Sequence, residues 1–161
     1  MPDSPAGGPA TAESATLTDQ MVLLATLCRA SYAGFTGAAQ HTTDGALAEW
    51  LSGCARQRKS LASELRGIIL VLGESDAIAP PWQRWVAQGA LENPGGWGES
   101  WRARCIRGEE NLLRLYEQLF ALRLPRGIGS MLRRQYDQVA VTLERLRSSC
   151  PPSPAPLPPA R

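Results

Sequence analysis

The stretch GALAEWLSGCARQRKSLASELRGIILVLG, residues 45–73, decides the fold. Leu47, Trp50, Cys54, Gln57, Leu61, Glu64, Ile68 and Val71 recur at three- and four-residue steps, which predicts one inward seam on a helix from Gly45 to Leu72. Asp44 is a natural cap at its start and Gly73 a fitting stop at its end. At 1.5 Å per residue such a helix spans about 40 Å, long for a globular domain. The seam is apolar except at Gln57 and Glu64.

Upstream, a first helix is expected from Thr18, as its cap, to Gln40, with Met21, Leu24, Cys28, Tyr32 or Ser31, Phe35 and Ala39 inward. Its stretch from Ala30 to Ala39 is rich in small residues, which permits close approach to a neighbour. Gly34 and Gly37 each cost up to about 1 kcal/mol of helix propensity, so packing must compensate. Downstream, residues 74–97 are too long for a hairpin turn. Pro80-Pro81 can open a short helix at Trp82–Leu91, and Asn93-Pro94-Gly95-Gly96 breaks it. A third helix is expected over Gly98–Leu122, with Trp101, Cys105, Glu109, Leu112, Tyr116 and Leu119 inward. After the tight connection Leu124-Pro125-Arg126-Gly127, a fourth runs to Ser148, with Leu132, Tyr136 or Gln135, Val139, Leu143 and Leu146 inward. No stretch alternates with period two, so no sheet is expected. Four long amphipathic helices joined by short, long and short connections read as an all-α, ferritin-like four-helix bundle with one crossover.

The 161 residues suffice for one domain with a real core. Nine of the thirteen prolines fall in the first nine or last eleven residues. Residues 1–16 are therefore expected to be a disordered tail, 17–149 the bundle, and 150–161 a proline-rich disordered tail. The opening MPDSPAGGPATAES has neither a basic n-region nor an apolar h-region, so no secretory signal is expected there. No apolar run reaches the roughly 18 residues of a membrane helix. A net charge of +2 gives no strong field for nucleic acid. The sixteen arginines, set against Lys59 alone, are interspersed with fifteen acids and read as a solvated, ion-paired surface.

Several runs resemble a known family. Leu27-Cys28-Arg29-Ala30-Ser31-Tyr32-Ala33-Gly34-Phe35-Thr36-Gly37-Ala38-Ala39 is similar to its first helix, and Gln57-Arg58-Lys59-Ser60-Leu61-Ala62-Ser63-Glu64-Leu65 to its second. Cys105-Ile106-Arg107-Gly108-Glu109-Glu110 with Tyr116, and Gln135-Tyr136-Asp137-Gln138-Val139, are similar to the third and fourth. The family is a bacterial group of ferritin-like four-helix-bundle proteins, domain of unknown function 2383, and the likeness covers about residues 18–148. It implies the fold and no particular activity. Its members usually carry acids where this chain has Ala30 and Ala33, and often a histidine where it has Leu143 and Trp82. Each departure removes a metal ligand.

A ferritin-like di-iron site needs about six ligands, including two Glu-x-x-His motifs. This chain has one histidine, His41, in a turn, and neither Glu64-x-x-Gly67 nor Glu144-x-x-Arg147 supplies the motif. Glu64 and Glu109 are the two inward carboxylates that iron or manganese would have to use. The preferred reading makes Gln57, Glu64 and Glu109 a polar core layer, with Arg58, Arg107 or Tyr116 as partner, since an unpaired buried carboxylate costs several kcal/mol. No cofactor is expected. Cys28, Cys54 and Cys105 read as small core residues in a reducing, cytoplasmic compartment, and Cys150 as the exposed thiol. Trp82, Trp85, Trp97 and Trp101 either staple the crossover to the bundle or offer an aromatic surface to a partner, a lipid or a second subunit.

The expectation is a non-enzymatic, cytoplasmic bundle that acts through protein contacts as a homodimer. A role in stress physiology would rest on fold analogy alone. The alternatives are a carboxylate-bridged metal oxidoreductase or iron-handling protein, and a small-ligand or lipid binder using the tryptophan-rich crossover. No phosphate loop, nucleophile elbow or Cys/His pair supports a hydrolase or a kinase.

Overall fold

The computed structural model describes residues 9–72 and 100–148. Four helices run through them: α1 (Pro9–His41), α2 (Gly45–Val71), α3 (Trp101–Phe120) and α4 (Arg126–Ser148). No strand occurs among the described residues. The short helix expected at 82–91, residues 1–8 and 150–161 of the expected tails, Gly73, Ser149 at the end of the expected bundle, and Trp82, Trp85, Trp97 and Cys150 lie outside them.

Local chemistry fixes most boundaries. Asp44 caps α2 as expected, its side chain accepting from the Leu47 amide at 3.1 Å. Ser100 caps α3 by accepting from the Ala103 amide at 3.2 Å, which starts that helix at Trp101 rather than Gly98. The Pro125 carbonyl accepts from the amides of Ile128 and Gly129, each at 3.1 Å, and so opens α4. At the end of α1, the His41 ring nitrogen Nδ1 lies 2.7 Å from the Gly37 carbonyl.

The start of α1 corrects the sequence reading. The helix begins at Pro9, not at Thr18, so residues 9–16 are helical where a disordered tail was expected. Proline suits a first helical turn, and the alanines that follow carry the best helix propensity. Thr18 is accordingly no cap but a buried side chain inside the helix.

Two apolar clusters set the direction of each helix. The larger gathers Met21 and Leu24 of α1, Leu65 and Ile69 of α2, Leu112 and Leu119 of α3, and Leu132 of α4. The smaller gathers Phe35 and Ala38 of α1, Leu51 and Cys54 of α2, Cys105 of α3, and Leu146 of α4. Hence α1 and α4 run from the larger cluster to the smaller, while α2 and α3 run the opposite way. The chain leaves α2 at one end of the bundle and enters α3 at the other. Side by side, α1 packs along α2 and α3, and α3 along α4, whereas α2 and α4 touch sparingly. Arg102 ties the two ends of the α3–α4 pair by donating to the Leu146 carbonyl at 2.8 Å through Nε and to the Arg147 carbonyl at 3.0 Å through Nη2.

The inward face of α3 is the expected one. On α4, Gln135 is buried rather than Tyr136, and on α1 Ala38 takes the place expected of Ala39. On α2 the seam is shifted by one residue. Leu51, Cys54, Ala55, Arg58, Leu61, Leu65 and Ile69 are buried, while Trp50, Gln57, Glu64 and Ile68 are half-buried and Val71 is 86% exposed. The expected seam kept Arg58 out of the interior. In the structure a carboxylate waits for it there.

Candidate functional site

Between the two apolar clusters lies a polar layer built on Arg58 and Glu109, both fully buried. Arg58 on α2 forks onto the Glu109 carboxylate of α3. Its Nε donates to Oε1 at 3.2 Å and to Oε2 at 3.1 Å, and its Nη2 donates to Oε2. The remaining nitrogen, Nη1, donates to Gln57 Oε1 at 2.7 Å. From α1, Ser31 donates its hydroxyl to Glu109 Oε1 at 2.6 Å. The Phe35 ring lies under the guanidinium, 5.9 Å from ring centroid to Cζ. Both charges are therefore paired, and both carboxylate oxygens are occupied by donors. Burial works against the charge on Arg58, but hydrogen bonding to Glu109 and its negative charge outweigh it and hold the guanidinium pKa above its ordinary value.

A second chain of hydrogen bonds continues the layer toward α4. Tyr116 donates its hydroxyl to Gln135 Oε1 at 2.9 Å, and Gln135 Nε2 donates to Glu64 Oε2 at 2.8 Å. Arg134 reaches the same Glu64 oxygen at 2.7 Å. Cys28, fully buried, lies beside Tyr116 and within reach of the charges of Arg58 and Glu109, between the two halves.

The three residues expected in one polar layer are thus distributed differently. Glu109 is its buried centre, Gln57 is a half-buried acceptor for Arg58, and Glu64 stands at the α2–α4 surface with its side chain 36% exposed. Of the partners considered for the carboxylate, Arg58 is the one used. The sequence reading named Arg58 as one of three partners but left it off the inward seam, and offered Ser31 and Gln135 as alternative inward positions without placing them in the layer. The signal was present: shifting the α2 seam by one residue leaves an apolar stripe interrupted by a single cation, and the α3 stripe is interrupted by a single anion.

These residues do not fit a carboxylate-bridged metal pair. Glu109 is saturated by Arg58 and Ser31, Glu64 sits on another face with Arg134 and Gln135, and His41 is at the far end of α1. Among the described residues, no three of His, Cys, Asp and Glu converge on a point where an ion could sit. The centre of the bundle supplies its own cation.

Charge is costly in this interior unless it is matched, so the buried thiols are held in their protonated form. Burial pushes Cys28 and Cys105 up to about 12, and raises Cys54 and Tyr116 as well. The unfolded chain, with thiols near 9.0, releases protons that the folded chain retains. Stability contributed this way is complete below pH 9 and is lost as pH rises toward 12, by at most about 1.4 kcal/mol per pH unit for each thiol. Urea midpoints measured from pH 7 to 11 should be level at first and then fall, and Cys28→Ala should make the fall shallower.

A groove of about 550 Å³ opens between α1 and α3. Gly34, Gly37 and Ala30 line one wall, Gly108 and Trp101 the other, and Arg104, Arg107 and His41 give it a basic rim. Trp101, half-buried against the smaller apolar cluster, is the one described member of the expected tryptophan surface. No helix of the described residues is long and apolar enough to cross a membrane. Comparison with known proteins gives no matching family model and no matching curated protein.

Proposed function

We propose that this chain is a non-enzymatic, ferritin-like four-helix bundle that works through protein contacts as a homodimer, its metal-binding centre replaced by an internal ion pair. The Arg58–Glu109 pair carries this reading. It places a permanent cation, with the planar fork that a carboxylate prefers, at mid-bundle. The helix directions and the short and long connections support the ferritin-like arrangement, and the quoted likeness in all four helices points the same way. With the interior neutralised from within, what the molecule offers to its surroundings is its surface.

The test is elemental analysis of the protein purified from cells grown with added iron and manganese. The expected result is a substoichiometric content of both, removed by a mild chelator without a change in thermal midpoint. Iron or manganese at one ion per chain or more, with a midpoint that drops on chelation, would overturn the proposal.

A further inference from the structure

The chain leaves α2 at the end of the bundle built on the larger apolar cluster and enters α3 at the opposite end. The 27 residues between Leu72 and Ser100 must therefore travel the length of the bundle. That distance is about 30 Å along α3, while a segment of this length reaches about 90 Å when extended. It has chain to spare for packing on the helices it passes. Two routes are open to it, because α1 packs along both α2 and α3 while those two do not pack on each other. One runs outside α1, over the α1–α3 groove. The other runs outside α4, over the α2–α4 side.

Charge separates the two routes. Residues 73–99 carry four acids, Glu74, Asp76, Glu92 and Glu99, against Arg84 alone, a net charge of −3. Arg104, Arg107 and His41 line the α1–α3 groove and no described carboxylate does. The grooves on the α2–α4 side have no such excess, since one carries Asp137 and the other both Glu64 and Arg134. Shape points the same way. A Cβ added at Gly34, Gly37 or Gly108 would meet nothing within 4 Å, so the α1–α3 groove has open depth along both walls. The segment brings three large rings, Trp82, Trp85 and Trp97, with Ile78, Val86 and Leu91, all of which gain by leaving water.

We propose that the α1–α3 groove is the docking surface for the chain's own residues 73–99. Trp101, the first residue of α3, lines the groove, so the segment is delivered at its mouth two positions after Glu99. Acids then meet the basic rim, and aromatic rings meet the walls paved with glycine and alanine. The inference does not depend on the homodimer reading. It assigns the tryptophans to the interior of a single chain and leaves the α2–α4 side to solvent.

The test is limited trypsin digestion of the full-length chain. Arg84 is the one basic residue of the segment, so cleavage there reports on it alone and is followed by mass spectrometry. In the wild type, cleavage after Arg84 should be at least about a hundredfold slower than in a synthetic peptide of residues 73–99. Gly34→Leu with Gly37→Leu fills the groove from α1 and should speed it at least about tenfold. Circular dichroism should stay unchanged, because both positions are open on the described bundle. Gly67→Leu adds the same bulk on the α2–α4 side, where a Cβ also meets nothing within 4 Å. It should leave the rate within about twofold of the wild type. Wild-type cleavage at the rate of the peptide would overturn the proposal. Protection lost on dilution from about 100 to about 1 µM would overturn it too, by assigning the cover to a second copy. Protection that survives the paired α1 change, whether or not Gly67→Leu relieves it, would place the segment elsewhere and overturn it as well.

Discussion

Replacing Arg58 with methionine is expected to cost about 3–5 kcal/mol of folding stability, much of what a domain of this size has to lose. Methionine fills much of the same volume and packs well, so little of that loss comes from a cavity. It comes from Glu109, whose side chain is fully buried and would keep only the Ser31 hydroxyl as a donor. Glu109 would then either remain charged without a counter-ion or take up a proton, and both states are costly in the interior. Glu109→Gln should fall in the same range for the complementary reason, since it strands the guanidinium. The double variant Arg58→Met/Glu109→Met should recover most of the loss, because removing both members of a buried pair also removes their desolvation. Urea denaturation of the four proteins would show it. A single variant within about 1 kcal/mol of wild type would mean that the pair contributes no more than an exposed one.

The same pair explains which parts of the molecule could be read in advance. Where a boundary depends on a side chain touching its own helix, local sequence suffices: Asp44 caps α2 because its carboxylate is three residues from the Leu47 amide. The inward face of α3 could be read because Glu109 sits among Cys105, Leu112 and Tyr116, and no competing register was more apolar. On α2 two registers competed. One carried Gln57 and Glu64, the other Arg58, and judged on that helix alone a buried guanidinium is the worse choice. What decides it is Glu109 on another helix, 51 positions away. The energy of a buried charge belongs to the pair, so no single-helix periodicity can rank it. The shift of one residue then carries Glu64 outward to Arg134 and turns Val71 into solvent. The early start of α1 has a different cause. Residues 9–16 lack the apolar spacing that marks a packed face, and their helicity comes from alanine content and from proline at the first position, which hydrophobic periodicity does not register.

Phe35 offers the sharpest measure of how far the ion pair and the apolar packing depend on each other. Its ring is fully buried in the smaller apolar cluster and lies beneath the Arg58 guanidinium. Phe35→Ala should cost about 3–5 kcal/mol, the sum of lost transfer energy and the cavity left between α1 and α2. Phe35→Leu keeps much of the volume and should cost less. What it loses beyond volume is the aromatic face, worth about 0.5–1 kcal/mol or somewhat more when desolvated, toward the cation. That share disappears when the cation does. In the Arg58→Met/Glu109→Met background, Phe35→Leu should therefore be cheaper than in the wild type by roughly that amount, a coupling that a double-mutant cycle reads directly. Equal costs in the two backgrounds would show that Phe35 merely fills space. A coupling of the expected sign would show that the small cluster also holds the guanidinium in the plane from which it forks onto Glu109.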